Sequence, residues 1–336
     1  MSIFKFWVAL IIVVSYCSAN SRFDFTKAVE TKLFAKAGTT KDRFGVSVSI
    51  GARYAVVGAS AASPTSTINS GASFIFTNFS RNVSVLSATA TELFPIVSDP
   101  VPGESFGGSV ALWGEILAVG TAQTDLLPGA VYIFMLSNDG QYVWNNIQAV
   151  VADDGVSGDG FGCSVAVSDL FLIVGASERN DLRGAAYVFA HMSDKWRQKA
   201  ALVPRDSHDH QKFGYSVSLA DNFAIIGAIG DKSVGPFAHG AAYIFVRRSY
   251  HSVAGIISWN WTEVGKVYAE TITNLGNFGV SVSIARHTNF LSSSSVYTAV
   301  VGSDNDDAGG VLSAGSVHVY VIKHGNLNKV TVHFFI

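Results

Sequence analysis

The sequence is short of charge, of cysteine and of proline. Charged side chains are 14% of its 336 residues against 49% apolar, too apolar and too sparsely charged for a disordered chain. The net charge is −2, and Lys and Arg are scattered, with Arg247-Arg248 as one short basic pair. That leaves no electrostatic footprint for nucleic acid or an acidic membrane surface. No segment carries the apolar spacing of an amphipathic helix, which argues against helical bundles and against alternating strand–helix folds. G-x-S-x-G, H-E-x-x-H, phosphate-loop and dinucleotide-binding patterns are all missing, so none of the short motifs with a known chemical mechanism points to an enzyme.

The N-terminus has its own grammar. Lys5 precedes the apolar run "FWVALIIVV" (6–14), and Cys17 and Ala19 stand at the −3 and −1 positions of a cleavage site. This predicts a signal peptide over 1–19 and a mature chain from Asn20, because the apolar run is too short to span a bilayer. Nothing past residue 322 reads as an anchor, so the mature chain is expected to be secreted or held at the cell surface without a membrane span. Export leaves Cys163 as the remaining cysteine and excludes an internal disulfide. It occupies a position filled elsewhere by Val46, Gly108, Tyr215 and Val280, and so reads as a small buried hydrophobe. Asn78, Asn82 and Asn260 head Asn-x-Ser/Thr triplets, glycosylation acceptors in an exported chain.

What the chain has in abundance is repetition. "FGVSVSIGARYAVVGAS" at 44 returns as "FGGSVALWGEILAVGTA" at 106, "FGCSVAVSDLFLIVGAS" at 161 and "FGYSVSLADNFAIIGAI" at 213. A fifth Phe-Gly stands at Phe278, and its copy is lengthened by the insertion "HTNFLSSSSV". Gly58, Gly120, Gly175, Gly227 and Gly302 form a second landmark; "GASFIF", "GAVYIF", "GAAYVF", "GAAYIF" and "GSVHVY" form a third. Ser47, Ser109, Ser164, Ser216 and Ser281 recur between them. Each unit offers an alternating strand, a continuously apolar strand, an aromatic strand and a less regular fourth strand often opened by Trp, as at 144, 196 and 261. Repeated four-strand units of this length predict an all-β propeller.

Phe-Gly, the "VVGA" run, the "GAAYVF" run and the Trp-led strand resemble the FG-GAP repeat of integrin α-subunit propellers, over roughly residues 23–322. The likeness is to calcium-poor members. The resemblance implies a single propeller domain over 20–336, with repeats starting near 44, 106, 161, 213 and 278, and a binding or adhesion module without catalysis. Integrin-like members of the family seat calcium in the turn between the first two strands, through a D-x-D-x-D-G-x-x-D run. Here those turns read "IGARY", "LWGEI", "VSDLF" and "LADNF", too few carboxylates for a cation that wants six to eight oxygens. No cofactor is therefore expected. Asp304, Asp306 and Asp307 are the densest acidic cluster and the weak metal candidates; Asp153, Asp154 and Asp159 come next, and both runs read as solvated turns.

Integrin-like propellers have seven blades, and five landmarks appear here. The segment 23–40 resembles a fourth strand with its loop, a clasp that would complete the last blade, so closed and truncated rings both fit. Loops preceding each Phe-Gly and loops following each "VVGA" share one face, where a ligand is expected. Arg179, Asp181, Arg183, His208, His210, Asp231 and His239 are the candidates there. Asp42, Glu104 and Asp159 each stand two places before Phe, and that recurrence predicts a turn role. A protein or glycan ligand is expected. A secreted carbohydrate hydrolase or lectin, and a piece of a larger surface receptor, stay open as alternatives.

Overall fold

The computed structural model describes residues 33–35, 38–63, 69–77, 90–93, 103–121, 128–137, 143–232, 239–251, 257–269, 276–287, 296–306, 313–323 and 331–333. The expected signal peptide, most of the clasp segment, Asn78, Asn82 and Asp307 lie outside the described residues. Among these residues twenty strands form five separate four-stranded antiparallel sheets, each in simple sequence order. Blade 1 holds β1 (Phe44–Ile50), β2 (Ala55–Ala59), β3 (Ala72–Phe76) and β4 (Ala90–Leu93). Blade 2 holds β5 (Phe106–Trp113), β6 (Ile116–Thr121), β7 (Ala130–Leu136) and β8 (Trp144–Val150). Blade 3 runs through β9 (Phe161–Val167), β10 (Phe171–Ala176), the short turn α1 (Arg179–Leu182), β11 (Ala185–Met192) and β12 (Lys195–Leu202). Blade 4 has β13 (Phe213–Ala220), β14 (Phe223–Ala228), β15 (Ala241–His251) and β16 (Ile257–Val267). Blade 5 has β17 (Ser281–His287), β18 (Val296–Ser303), β19 (Ser316–Lys323) and β20 (Thr331–His333). The chain is thus an all-β, five-bladed propeller.

Each landmark of the repeat has a physical task. In blades 1 to 4 Phe-Gly opens the first strand as a bulge, and its glycine sits at φ between +85° and +93° in all five copies, a region that favours glycine. The bulge turns the Phe ring inward against the aromatic pair of the third strand. Phe161 meets Tyr187 and Phe189 edge-on at 5.6 and 6.0 Å, and Phe213 meets Tyr243 and Phe245 at 5.5 and 5.9 Å. Such T-shaped pairs add about 0.5–1.5 kcal/mol each beyond burial. The "VVGA" strand is covered on both faces, which accounts for its unbroken apolar run: all of Phe171–Ala176 and Phe223–Ala228 are buried.

The glycine of "VVGA" and the recurring serine build the junctions between blades. A Cβ on Gly58, Gly120, Gly175 or Gly227 would lie 1.9–2.2 Å from the carbonyl oxygen of Gly107, Gly162, Gly214 or Gly279 in the next blade. Only glycine admits that approach. To the same four carbonyls Ser47, Ser109, Ser164 and Ser216 donate hydrogen bonds of 2.7–2.8 Å. Around these contacts lie four hydrophobic cores, each shared by two successive blades.

The junction that would join blade 5 to blade 1 lacks these contacts among the described residues. A Cβ on Gly302 meets only Ser281, and one on Gly45 meets nothing within 4 Å, whereas Gly107, Gly162, Gly214 and Gly279 each face a carbonyl of the preceding blade. Val48 is 44% exposed, while Val110, Val165 and Val217, its counterparts, are 8–9% exposed. Leu33 and Ala35 pack on the core of blade 1 that includes Val57 and Phe74. They stand as far ahead of Phe44 as Val150 and Ala152 stand ahead of Phe161, so the clasp segment enters blade 1 in the register of a fourth-strand exit.

Candidate functional site

Backbone hydrogen bonds zip the loop face together. The N–H of Phe213 donates to Arg183 O at 3.0 Å, that of Lys212 to Leu182 O at 2.7 Å, and that of His210 to Asp181 O at 3.2 Å. Phe106, Phe161 and Phe278 likewise donate to Ser70, Pro128 and His239 of the preceding blade. Each loop after "VVGA" is therefore fixed to the loop before the next Phe-Gly. Between blades 3 and 4 this zipper is fully described, and Asn180, Asp181 and Leu182 adopt positive φ to complete it.

Below the zipper of blade 4 sits a buried polar network. The Lys266 ammonium is 2.8 Å from both Asp206 Oδ2 and Asp231 Oδ2. Tyr243 donates its hydroxyl to Asp231 Oδ2 or Asp206 Oδ1, at 2.7 and 2.8 Å, and Gln211 Nε2 donates to Asp231 at 2.7 Å. Lys266 also lies 4.8 Å over the Tyr243 ring, a cation–π contact. Burial works to raise the Asp206 pKa, but Lys266 and the Tyr243 hydroxyl outweigh it and hold the carboxyl below its usual value. Burial first, then the Asp231 carboxylate, pushes the Tyr243 phenol far up, so Tyr243 remains a neutral donor. His208 Nε2 faces the Lys232 N–H at 3.3 Å and Nδ1 faces the Asp209 carbonyl at 3.0 Å. A carbonyl only accepts, so the Asp209 contact puts a proton on Nδ1, and Nε2 also lies 3.8 Å from Asp231 Oδ2.

Blade 3 repeats the design with different residues. Arg179 pairs with Asp154 at 2.7 Å and Asp159 at 3.2 Å, and the Tyr187 hydroxyl donates to Asp154 Oδ1 at 2.9 Å. In blade 2 the Tyr132 hydroxyl donates to Glu104 Oε1 at 2.9 Å. In blade 5 His318 takes the tyrosine's place, and Ser316 Oγ donates to Asp306 Oδ2 at 2.5 Å. Ser316, His318 and Asp306 share a serine–histidine–aspartate composition, yet Ser316 and Asp306 both approach Nε2, at 2.8 and 3.8 Å. A relay needs the carboxylate on Nδ1, the opposite ring nitrogen. Of the three acids two places before Phe, Asp42 and Asp159 hold turns, accepting from the Thr39 N–H and from the Val156 N–H at 3.0 Å respectively, whereas Glu104 turns to the Tyr132 hydroxyl.

The loop-face candidates therefore divide. Asp231 and His239 are 1% and 7% exposed; they are drawn inside by the Lys266 network and the zipper and do not face a ligand. Arg179 is engaged by two carboxylates. Asp181, Arg183 and His210 are exposed and His208 is half-buried, and all four gather at the blade 3–4 junction, where Arg183 Nε pairs with Asp209 at 2.6 Å. Lys266 and Tyr243 belong to the network too. Their sequence signal was the acids of "DSHDH" paired with a fourth-strand lysine, legible only once the register is known.

Among the described residues no group of three or more His, Cys, Asp or Glu is placed to hold a metal ion. Asp304 and Asp306 diverge: Asp304 accepts from Asn277 Nδ2 at 3.0 Å at the surface, and Asp306 turns inward to Ser316. Of the inter-strand turns, "LADNF" gives its carboxylate to blade 5, where Asp221 accepts from Tyr297 at 2.9 Å and pairs with Arg286 at 3.3 Å. Burial and that carboxylate push the Tyr297 phenol up to about 12. Cys163 donates its thiol to the Gly214 carbonyl at 3.3 Å, and burial pushes its pKa up, as befits a packing residue. Asn260 is exposed in mid-strand, opposite Arg248. No helix among the described residues is long and apolar enough to cross a membrane.

Comparison with curated proteins finds no match to the chain. The family model of the FG-GAP repeat matches at residues 28–76, 144–189 and 196–245. The second and third matches begin at a fourth strand and end in the third strand of the next blade, so the sequence repeat is out of phase with the blade and staples neighbours together. Blades 2 and 5 share the strand order of the matched blades, and their Gly107 and Gly279 share the positive φ of the Phe-Gly pair. Three matches and five blades of one topology identify the chain as a β-propeller of FG-GAP repeats.

Proposed function

We propose that this propeller is an exported, non-catalytic binding module that engages a protein or glycan ligand through the loop face at the junction of blades 3 and 4. The observation that carries the reading is the exposed set Asp181, Arg183, His210 and Asp209, held by two different blades on a backbone that is hydrogen-bonded across the junction. Side chains on such a frame lose little further freedom when a partner docks. Nearby carboxylates are already neutralised by Lys266 and Arg179. That pairing suits a scaffold better than the proton transfer of glycoside hydrolysis, which needs one carboxyl held protonated. The repeat family and the signal-like N-terminus support an extracellular setting. Arrays of extracellular protein domains and of glycans, probed with the parent chain and with an Arg183→Glu/His210→Glu variant, test this. Binding by the parent and its loss in the variant are expected. Equal binding by both, or turnover of a glycan, would overturn the proposal.

A further inference from the structure

The residue after each Phe-Gly pair stands on the loop-face rim, where the first strands of successive blades lie side by side. Its side chain reaches toward the next blade, as Cys163 shows: its Sγ lies 3.3 Å from the Gly214 carbonyl of blade 4. Four blades keep this residue small, as Val46, Gly108, Cys163 and Val280, and blade 4 carries Tyr215. Tyr215 is 38% exposed, and its neighbour Ser216 donates to the Gly279 carbonyl of blade 5 at 2.8 Å. Tyr215 therefore adjoins the Phe-Gly turn of blade 5. A second departure from the repeat stands beside that turn. Asp304 is exposed and accepts from Asn277 Nδ2 at 3.0 Å, whereas Ser60, Ser177 and Ile229, its counterparts, carry no charge. Burial raises the Tyr215 phenol, and the Asp304 carboxylate and Cys163 raise it further, so ring and carboxylate lie within electrostatic reach of each other. Neither the Tyr215 hydroxyl nor the second Asp304 oxygen has a hydrogen bond among the described residues. An aromatic and an acid that break the repeat on the two sides of one junction mark function rather than framework.

We propose that Tyr215, Asp304 and Asn277 form a site for one uncharged pyranose ring of a glycan, at the rim between blades 4 and 5. A pyranose carries an apolar C–H face and a girdle of hydroxyls. The exposed Tyr215 ring offers a flat apolar surface for the first, with its phenol as a polar tip. Two neighbouring hydroxyls donate to the Asp304 carboxylate and to Asn277 Oδ1, acceptors that the Asn277–Asp304 bond holds beside each other. Hydrogen bonds to an ionised acceptor are the stronger kind, and Asp304 pairs with no cation among the described residues. Its uncompensated charge repels a uronic acid, a sialic acid or a sulfated sugar, which sets the class as uncharged. The site lies one junction on from the blade 3–4 loops and does not depend on their engaging a partner.

Saturation-transfer NMR of the full chain tests the proposal, with the methyl glycosides of glucose, galactose, mannose and N-acetylglucosamine as probes and glucuronic acid as the charged control. At least one uncharged glycoside is expected to bind, in about the millimolar range for a ligand of this size, and glucuronic acid is not. Tyr215→Val installs the residue of blades 1 and 5. That variant should therefore melt within a few degrees of the parent while binding at least about tenfold more weakly. Tyr215→Phe, which keeps the ring, should retain most of the binding, and Asp304→Ala should lose most of it. The Arg183→Glu/His210→Glu variant should bind the sugar as the parent does, which separates this site from the blade 3–4 loops. A parent that binds none of the uncharged glycosides, or glucuronic acid equally well, would overturn the proposal. So would a Tyr215→Val variant that binds as the parent does, a Tyr215→Phe variant as weak as Tyr215→Val, or loss of binding in Arg183→Glu/His210→Glu with none in Asp304→Ala.

Discussion

Replacing Lys266 by Met is the substitution that most sharply tests the buried network of blade 4. Asp231 is 1% exposed and accepts from Tyr243, Gln211 and Lys266. Lys266 also reaches Asp206, but the side chain of Asp206 is 46% exposed, and water takes over most of that interaction. The cost of Lys266→Met is therefore set by Asp231, a buried carboxylate that loses its ammonium partner and keeps the Tyr243 and Gln211 donors, with His208 Nε2 3.8 Å away. Breaking one partner out of a buried pair costs about 3–5 kcal/mol. For a chain of this size that corresponds to a fall in melting temperature of roughly 6–10 °C, at about 2 °C per kcal/mol. Removing both charges, with Asp231→Asn added, should recover much of the loss, because the desolvation cost of the orphan charge disappears with it. Thermal unfolding of the parent, both single variants and the double variant gives the coupling directly. A single-variant loss below about 1 kcal/mol, or a double variant as unstable as the sum of the singles, would refute the assignment of Lys266 as the counter-ion of Asp231.

Other outcomes follow from the same geometry. The Asp206 pKa is depressed in the folded protein, so its contribution is present above its unfolded value near 3.9 and is lost as pH falls through the lower folded value. Parent and Asp206→Asn should thus differ in stability at pH 6 and converge in acid titrations near pH 2. Ser164→Ala should cost about 0.5–1.5 kcal/mol in denaturant unfolding, the net worth of its bond to the Gly214 carbonyl. Cys163, with its thiol pKa raised by burial, should react with iodoacetamide at pH 7.5 far more slowly in the native protein than in urea. Asn260→Gln should remove one glycan mass from protein secreted by a eukaryotic host, as read by mass spectrometry.

The fold was legible because the repeat is written in hard constraints. Glycine at the bulge and at the close approach, and aromatics at the third strand, tolerate few substitutes, so five copies kept them through otherwise diverged loops. The serines show the limit of that legibility. Their recurrence was visible, but a hydroxyl on an alternating strand gives no hint that its acceptor lies in the next blade, 50 or more residues on. Asp231 and His239 read as loop residues open to a ligand, yet a lysine from the fourth strand and a tyrosine from the third pull Asp231 inside. Polar burial of this kind depends on register between strands that are distant in sequence, which composition and spacing do not encode. The clustering of Asp181, Arg183 and His210 was partly visible, because both loop sets were placed on one face, but the backbone zipper that joins them was not.

The decisive measurement is an alanine series over the five equivalent glycines, followed by thermal unfolding. Gly58→Ala, Gly120→Ala, Gly175→Ala and Gly227→Ala each drive a Cβ into a backbone carbonyl at 1.9–2.2 Å, and strain of that kind places them among the severe destabilisations of about 4 kcal/mol or more. Gly302→Ala meets only a serine side chain; it should leave the melting temperature within a few degrees of the parent. Four large losses and one small one would establish the repeated phrase as the device that joins blade to blade. A loss at Gly302 as large as the others would show a closed ring, and four mild losses would show that the junctions are not built as described.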